Sequence, residues 1–200
     1  MSYYFTNDET LKSEIRTNKV IIGNLPFTFY TDNGVFSKKG LDFGTRTLLE
    51  SLENISGDVL DLGCGYGPIG IYIASKYNVV PDMVDVNKRS MDLSVKNAKL
   101  NKVDINVFES DGYSNVTKKY DYIITNPPIR VGKTKLYSLL FDATNYLKEN
   151  GEMWLVVHKD QGAKTLAKDL EKSYEVVIKN KNKGFYIIMA KKKLNWLTYW

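Results

Sequence analysis

The rhythm of hydrophobic and polar positions changes near residue 59. Before that point, Val20-Ile21-Ile22 and Phe27-Thr28-Phe29-Tyr30 flank Gly23-Asn24, a pair that tolerates the backbone of a tight turn, and the spacing predicts a hairpin. A turn-rich stretch over 31–37 leads to a helix over 42–52, with Leu48, Leu49 and Leu52 on one side. From Val59 onward, short apolar strands alternate with helices. Strands are expected over 59–62, 79–86, 105–108, 120–125 and 152–157, the last entered through Asn150-Gly151. Helices are expected over 68–77, where Pro68 suits a first turn, over 90–100 with Ser90 as N-cap, and over 135–147 and 163–170. The pattern closes with an antiparallel pair, 174–178 and 185–189, turned at 181–184. Repeated strand–helix units predict an α/β domain. Its sheet is mostly parallel and seven-stranded, with helices on both faces and the last strand antiparallel. Three regions follow: an N-terminal hairpin extension over 1–40, the α/β domain over 41–191, and an aromatic tail over 192–200.

Composition narrows the class. Hydrophobic residues make up 43% of the 200 residues, too many for a disordered chain. No apolar run approaches the ~20 residues of a membrane helix, and the polar N-terminus predicts no signal peptide. Cys64 is the single cysteine and His158 the single histidine. An internal disulfide and a Cys/His metal site are therefore both excluded, and a reducing cytoplasm is the expected setting. Cys64 reads as a small packing residue, His158 as structural or exposed. The formal charge of +5 and pI of about 9.0 permit a polyanionic partner. The basic residues form separate clusters, among them Lys38-Lys39, Lys88-Arg89 and Arg130 with Lys133 and Lys135.

The strongest chemical signal is Asp61-Leu62-Gly63-Cys64-Gly65-Tyr66-Gly67, between a predicted strand and a predicted helix. Gly63, Gly65 and Gly67 allow a tight turn and close approach of a ligand to the backbone. Their G-x-G-x-G spacing differs from the G-x-G-x-x-G of a pyrophosphate site. Asp61, expected to point into the cleft, would oppose a pyrophosphate and suit a cation. Asp85 ends the second strand, where an acid can accept hydrogen bonds from both hydroxyls of a ribose. Asp111, in Ser110-Asp111-Gly112 after the third strand, can accept from an adenine amino group. Three acids at three successive strand ends form a far more specific pattern than the glycines alone. This arrangement resembles the class I methyltransferase fold, Rossmann-like in architecture, and the resemblance implies S-adenosylmethionine as cofactor. Its adenosine, ribose and sulfonium match the three acids group by group, and Gly112 joins them as a cofactor-binding position.

The fourth strand is followed by Asn126-Pro127-Pro128-Ile129. Consecutive prolines have fixed φ and no N–H, so they hold a rigid loop whose carbonyls are free to accept. The Asn126 side-chain oxygen and the Pro127 carbonyl can take both hydrogens of an aromatic NH₂ group. This aims the nitrogen lone pair at a methyl donor, and catalysis becomes mostly positioning and electrostatics. N-P-P motifs of this kind occur in methyltransferases acting on adenine N6, guanine N2 and glutamine N5. Their fourth position is commonly an aromatic that stacks on the substrate. Ile129 departs from that pattern, so the ring is expected from Phe36 or Tyr113 instead.

Gly34-Val35-Phe36-Ser37, Asp42-Phe43-Gly44-Thr45-Arg46, Asn126-Pro127-Pro128-Ile129-Arg130 with Gly132-Lys133, and Lys159-Asp160-Gln161-Gly162-Ala163 narrow the resemblance further. Over residues 3–191 the chain resembles the catalytic half of the small-subunit ribosomal RNA guanine-N2 methyltransferases. This resemblance implies methyl transfer to the exocyclic N2 of a guanine in 16S ribosomal RNA, with ribosomal RNA or the small ribosomal subunit as partner. Asn126 and Pro127 would be catalytic, and Phe36, Pro128, Ile129, Arg130 and Lys133 would hold the substrate. A base buried in a helix would have to leave its stack to react. The resemblance does not extend to the second, degenerate half that such enzymes often carry. Rival readings are a protein glutamine-N5 methyltransferase, an adenine-N6 nucleic-acid methyltransferase, a nicotinamide-dependent oxidoreductase and a non-catalytic RNA-binding module. The glycine spacing, Asp61 and the Pro-Pro loop speak against the oxidoreductase.

Overall fold

The structure, a computed structural model, describes residues 11–193; most of the expected aromatic tail lies outside them. The first element among the described residues is a hairpin of β1 (Arg16–Ile22) and β2 (Leu25–Thr31), as the Gly23-Asn24 pair predicts; both turn residues have positive φ. Helix α1 (Phe43–Ser51) follows. The units β3 (Val59–Leu62), α2 (Pro68–Tyr77), β4 (Asp82–Asp85), α3 (Lys88–Leu100) and β5 (Asn106–Glu109) build one side of the sheet. The other side consists of β6 (Tyr120–Thr125), α4 (Lys133–Tyr146), β7 (Leu147–His158), α5 (Ala163–Leu170), β8 (Tyr174–Asn182) and β9 (Phe185–Lys192).

The seven-stranded sheet has the order β5-β4-β3-β6-β7-β9-β8. Strands β3 to β7 pair in parallel, and β9 runs antiparallel to both β7 and β8. The expected mostly parallel sheet with an antiparallel last strand is therefore the observed one. Alternation along the strands divides the core in two. Leu60, Leu62, Ile123, Met153, Leu155, Val157 and Ile188 face α4 and α5. Val59, Ile124, Trp154, Val156 and Ile187 face α1 to α3.

The hairpin closes the α1–α3 side. Ile22, Phe27 and Phe29 are buried there, with Phe27 against Tyr72 at 5.8 Å and Phe29 against Tyr66 at 5.6 Å between ring centroids. A two-stranded hairpin still leaves backbone groups open along its edges. Asn97 and Asn101, one helical turn apart on α3, satisfy those of β2. Tyr30 N donates to Asn97 Oδ1 at 2.7 Å, and Asn97 Nδ2 donates to Tyr30 O at 2.9 Å and Tyr66 O at 2.8 Å. Asn101 repeats the pattern on Thr28, at 3.0 and 2.8 Å. Asn97 is completely buried. Asn97→Ala would strand one buried backbone group, Tyr66 O, and two half-buried ones, Tyr30 N and O, and a buried group costs about 1–3 kcal/mol when unpaired. We expect a loss of about 3 kcal/mol in urea unfolding, a substantial part of a small domain's stability.

Several boundaries differ from the sequence expectation. Helix α3 starts at Lys88 because Asn87, not Ser90, is the N-cap: its side chain accepts from Ser90 N at 3.0 Å. Strand β4 begins at Asp82 rather than 79, since Pro81 has no N–H to give the ladder. Helix α4 begins two residues early, directly after Gly132. Strand β7 follows it without a turn, from Leu147. Asn150-Gly151 forms an irregularity within the strand, where Tyr120 pairs with Leu147 and Tyr122 with Glu152.

Candidate active site

The chain leaves β3 for β4 and β5 on one side, then returns to β6 on the other. Loops diverging from such a reversal open a crevice at the carboxyl ends of the strands. A cleft of about 550 Å³ lies there, a size typical of small-molecule sites. It is lined by the loops after β3, β4, β5 and β6, the start of α1 and the segment that follows the hairpin.

The glycine loop after β3 is pinned to β4. Gly63 N and Cys64 N both donate to Val84 O at 2.9 Å. Gly65 N donates to Asp85 Oδ2 and Asn87 N to Asp85 Oδ1, each at 2.8 Å. Gly63 and Gly65 have positive φ, and a Cβ on either would meet no atom within 4 Å. Their bare backbone therefore faces open space in the cleft. Gly67 differs and does not line the cleft. A Cβ there would approach Ile71 Cδ1 to 3.0 Å and Ser94 Oγ to 3.2 Å, so its role is the tight packing of α2. Cys64 lines the cleft as a small buried residue, its thiol pushed far up, chiefly by burial.

Asp85 lines the cleft with both carboxylate oxygens engaged by the loop, and loss of water around it raises its pKa against those backbone N–H groups. Asp111 is exposed at the cleft rim, in an ion pair with Lys135 at 3.1 Å. Gly112 lies beside it, held by a 2.8 Å bond from Ser110 Oγ to its carbonyl.

Asp61 is not where the sequence suggested. It is completely buried and does not line the cleft. Strand parity is the reason: Leu60 and Leu62 face α4, so Asp61 faces α2, where its Oδ2 accepts from Gly70 N at 2.9 Å. Oδ1 has no partner among the described residues. Burial, aided by the nearby Asp85 charge and opposed by the Gly70 N–H, pushes its pKa up to about 8. A pKa raised on folding means that the folded protein holds a proton the unfolded chain has already released. Stability from this group is complete below about pH 4 and is lost as pH rises through 8. Asp61→Asn, neutral throughout, is expected to flatten the decline in melting temperature between pH 5 and 8 in calorimetry. An unchanged slope would contradict this account.

The loop after β6 forms the opposite wall. Thr125 Oγ1 ties it to β3 through Leu62 O at 2.7 Å. Asn126 Nδ2 donates to Thr45 Oγ1 at 2.9 Å, and Thr45 sits in the first turn of α1, capped by Asp42. Pro127 is buried, and Pro128 leads into a 3₁₀ turn over Ile129–Val131. Asn126, Pro127, Pro128, Ile129 and Arg130 all line the cleft. Lys133 does not: its ammonium lies 5.0 Å from the Tyr137 ring centroid, one turn along α4, and Lys135 takes its place in the lining.

Of the two rings proposed to replace the missing aromatic at 129, only Phe36 is in position. It lines the cleft and is 46% exposed. Tyr113 is buried in the core, stacked on Tyr146 at 4.3 Å. The structure adds Phe185 and Gln161 from the far side of the sheet. Phe185 is braced by the edge of His158 at 4.8 Å and by Phe43 at 5.9 Å. The described residues contain no helix long and apolar enough to cross a membrane and no cluster able to hold a metal.

Comparison with known proteins points the same way. The family model for the Methyltransferase small domain matches residues 26–189. The chain is 42% identical to the uncharacterized protein YbxB of Bacillus subtilis, across 95% of this chain and 98% of that protein. It is 34% identical to Ribosomal RNA small subunit methyltransferase C of Vibrio parahaemolyticus, across 94% of this chain but 55% of that one. The chain thus spans about half the length of the ribosomal RNA methyltransferases that it matches. Among solved structures, it superposes with a TM-score of 0.79, at 26% identity, on the T. thermophilus 16S rRNA N2 G1207 methyltransferase in complex with AdoMet and guanosine. That superposition covers 92% of this chain and 52% of the other.

Proposed function

The chain belongs to the methyltransferase small domain family, and from that premise we propose that it transfers a methyl group from S-adenosylmethionine to the N2 amine of a guanine in small-subunit ribosomal RNA. The observation that carries this reading is the pair of walls around one cleft. Bare glycine backbone with Asp85 lies on one side, and Asn126 with the proline-stiffened loop on the other. The open space over Gly63 and Gly65 fits a ligand lying against the backbone. The acids lining the cleft suit a cation bearing ribose and adenine rather than a phosphate ester.

Asp85 holds the ribose hydroxyls and Asp111 and Gly112 the adenine edge, while Gly63 and Gly65 bound the chain that carries the sulfonium. Asp61 lies beneath the loop and accepts from Gly70 N of α2, with its other carboxyl oxygen unpartnered among the described residues. When bound, S-adenosylmethionine supplies an electrophilic methyl group on a neutral leaving group. The Asn126 Oδ1 and the Pro127 carbonyl accept the two N2 hydrogens and turn the nitrogen lone pair toward that methyl. No strong base is needed before attack, and the surplus proton leaves to solvent afterwards. The apolar faces of Pro128, Ile129 and Phe36 grip the extruded base.

Arg130 is exposed at the mouth of the cleft and serves the RNA backbone. Arg130→Ala is expected to leave S-adenosylmethionine affinity unchanged. It should weaken binding to small subunits and lower the salt dependence of that binding by about one phosphate contact. Weakened cofactor affinity would contradict this role. The reading as a whole is tested by deleting the gene and mapping 16S ribosomal RNA nucleosides by mass spectrometry. One N2-methylguanosine should vanish and return with the wild-type gene but not with Asn126→Ala. An unaltered 16S map, or loss of a glutamine methylation instead, overturns it.

A further inference from the structure

A side-chain amide has two faces of opposite hydrogen-bonding character, and only the carbonyl face of Asn126 can receive an amine. What decides which face meets the cleft lies in α1. Thr45 is buried, and its hydroxyl stands 2.5 Å from Asp42 Oδ2 and 2.9 Å from Asn126 Nδ2. Asp42 Oδ1 meanwhile accepts from Thr45 N at 3.0 Å, which caps the helix. A carboxylate has no hydrogen to give, so the single Thr45 hydroxyl proton goes to Asp42. The Thr45 oxygen is then left only as an acceptor. Of the two ends of the Asn126 amide, only the NH₂ can satisfy it. The carbonyl oxygen is thereby turned away from α1, and it has no partner among the described residues.

We propose that Asp42 and Thr45 are positioning residues that lock the polarity of the Asn126 amide, so that the cleft presents an acceptor and selects an NH₂ substrate over a carbonyl. This rests on the reading above that Asn126 Oδ1 receives the substrate amine. Without the Asp42–Thr45 pair the hydroxyl can donate to Asn126 instead. The amide then turns over and sets an NH₂ against the substrate's NH₂, a repulsive encounter. The relay joins the cap of one helix to a loop 81 residues further along the chain. It therefore also couples the seating of α1 to competence of the site.

Three variants isolate this effect. Thr45→Val keeps the shape and removes the hydroxyl, while Thr45→Ser keeps the hydroxyl. Asp42→Asn retains the helix cap, since asparagine caps as well as aspartate. Its new NH₂ can donate to Thr45, however, and this frees the hydroxyl proton for Asn126. Methylation of small subunits from the deletion strain is measured alongside calorimetric titration with S-adenosylmethionine. Thr45→Val and Asp42→Asn should lower kcat about 10- to 100-fold, the range of one lost orienting bond at a reacting centre. Cofactor affinity should stay unchanged in both, and Thr45→Ser should remain near wild type. Amide orientation is read independently in protein labelled with ¹⁵N-asparagine. Wild type should show nuclear Overhauser contacts between the Asn126 Nδ2 protons and the Thr45 side chain, and Asp42→Asn should weaken them. Wild-type kcat in Thr45→Val, or absence of those contacts in the wild type, overturns the relay. Full activity in Asn126→Ala would instead overturn the reading of Asn126 on which it rests.

Discussion

Asn126→Ala is expected to lower kcat by about 10²–10³-fold while leaving the dissociation constant for S-adenosylmethionine unchanged. Loss of one preorganised group at a reacting centre has an effect of this size. The amide reaches the cleft from the carboxyl end of β6, and its NH₂ is already committed to Thr45 at 2.9 Å. Its oxygen, without a partner among the described residues, would thus be aimed before any substrate arrives, with no reorganisation required at the moment of reaction. The glycine loop and Asp85 belong to other elements, and the Asn126 side chain bonds to Thr45 rather than to them, which is why the cofactor side should be untouched. Steady-state kinetics on small subunits, with calorimetry on the same preparation, checks both halves. A variant with normal kcat, or one that has lost the cofactor instead, would contradict the assignment.

Asp85→Ala is expected to raise the dissociation constant for S-adenosylmethionine by about 10²–10⁴-fold with the protein still folded. Two hydrogen bonds from ribose hydroxyls to a carboxylate contribute about 1.5–3 kcal/mol each. The same carboxylate accepts from Gly65 N and Asn87 N at 2.8 Å. Its removal therefore also loosens the glycine loop that the ligand lies against. Circular dichroism should remain native, because β4 and the core beneath it do not depend on this side chain. Affinity within a factor of three of wild type would contradict the role.

Much of the cleft's lining could be read from the chain because its parts are short and sit at strand ends. The glycine loop, Asp85, Asp111 and Asn126-Pro127-Pro128 each announce themselves within a few residues. The alternation of strand and helix places them all at one edge. Asp61 was misplaced because its position in the motif suggested the cleft, whereas strand parity turns it toward α2 and Gly70 N. Gly67 serves packing rather than ligand, a distinction that depends on Ile71 and Ser94 rather than on its neighbours in the motif. Lys133 and Lys135 were both in view, but which one faces the cleft depends on where α4 begins. The Thr45–Asn126 and Phe185–His158 contacts join distant segments and leave no local trace. Asn97 and Asn101 did leave one: two asparagines a turn apart inside an amphipathic helix are unusual enough to ask what they bind.

The most direct measurement is of the methylated atom itself. Purified protein would be incubated with isotopically labelled S-adenosylmethionine and small ribosomal subunits from the deletion strain, and the RNA then digested to nucleosides. The account predicts label in N2-methylguanosine, from one position per 16S molecule, and none with the Asn126→Ala protein. Label in N6-methyladenosine or in ribosomal protein, or none in any product while the cofactor binds, would contradict it.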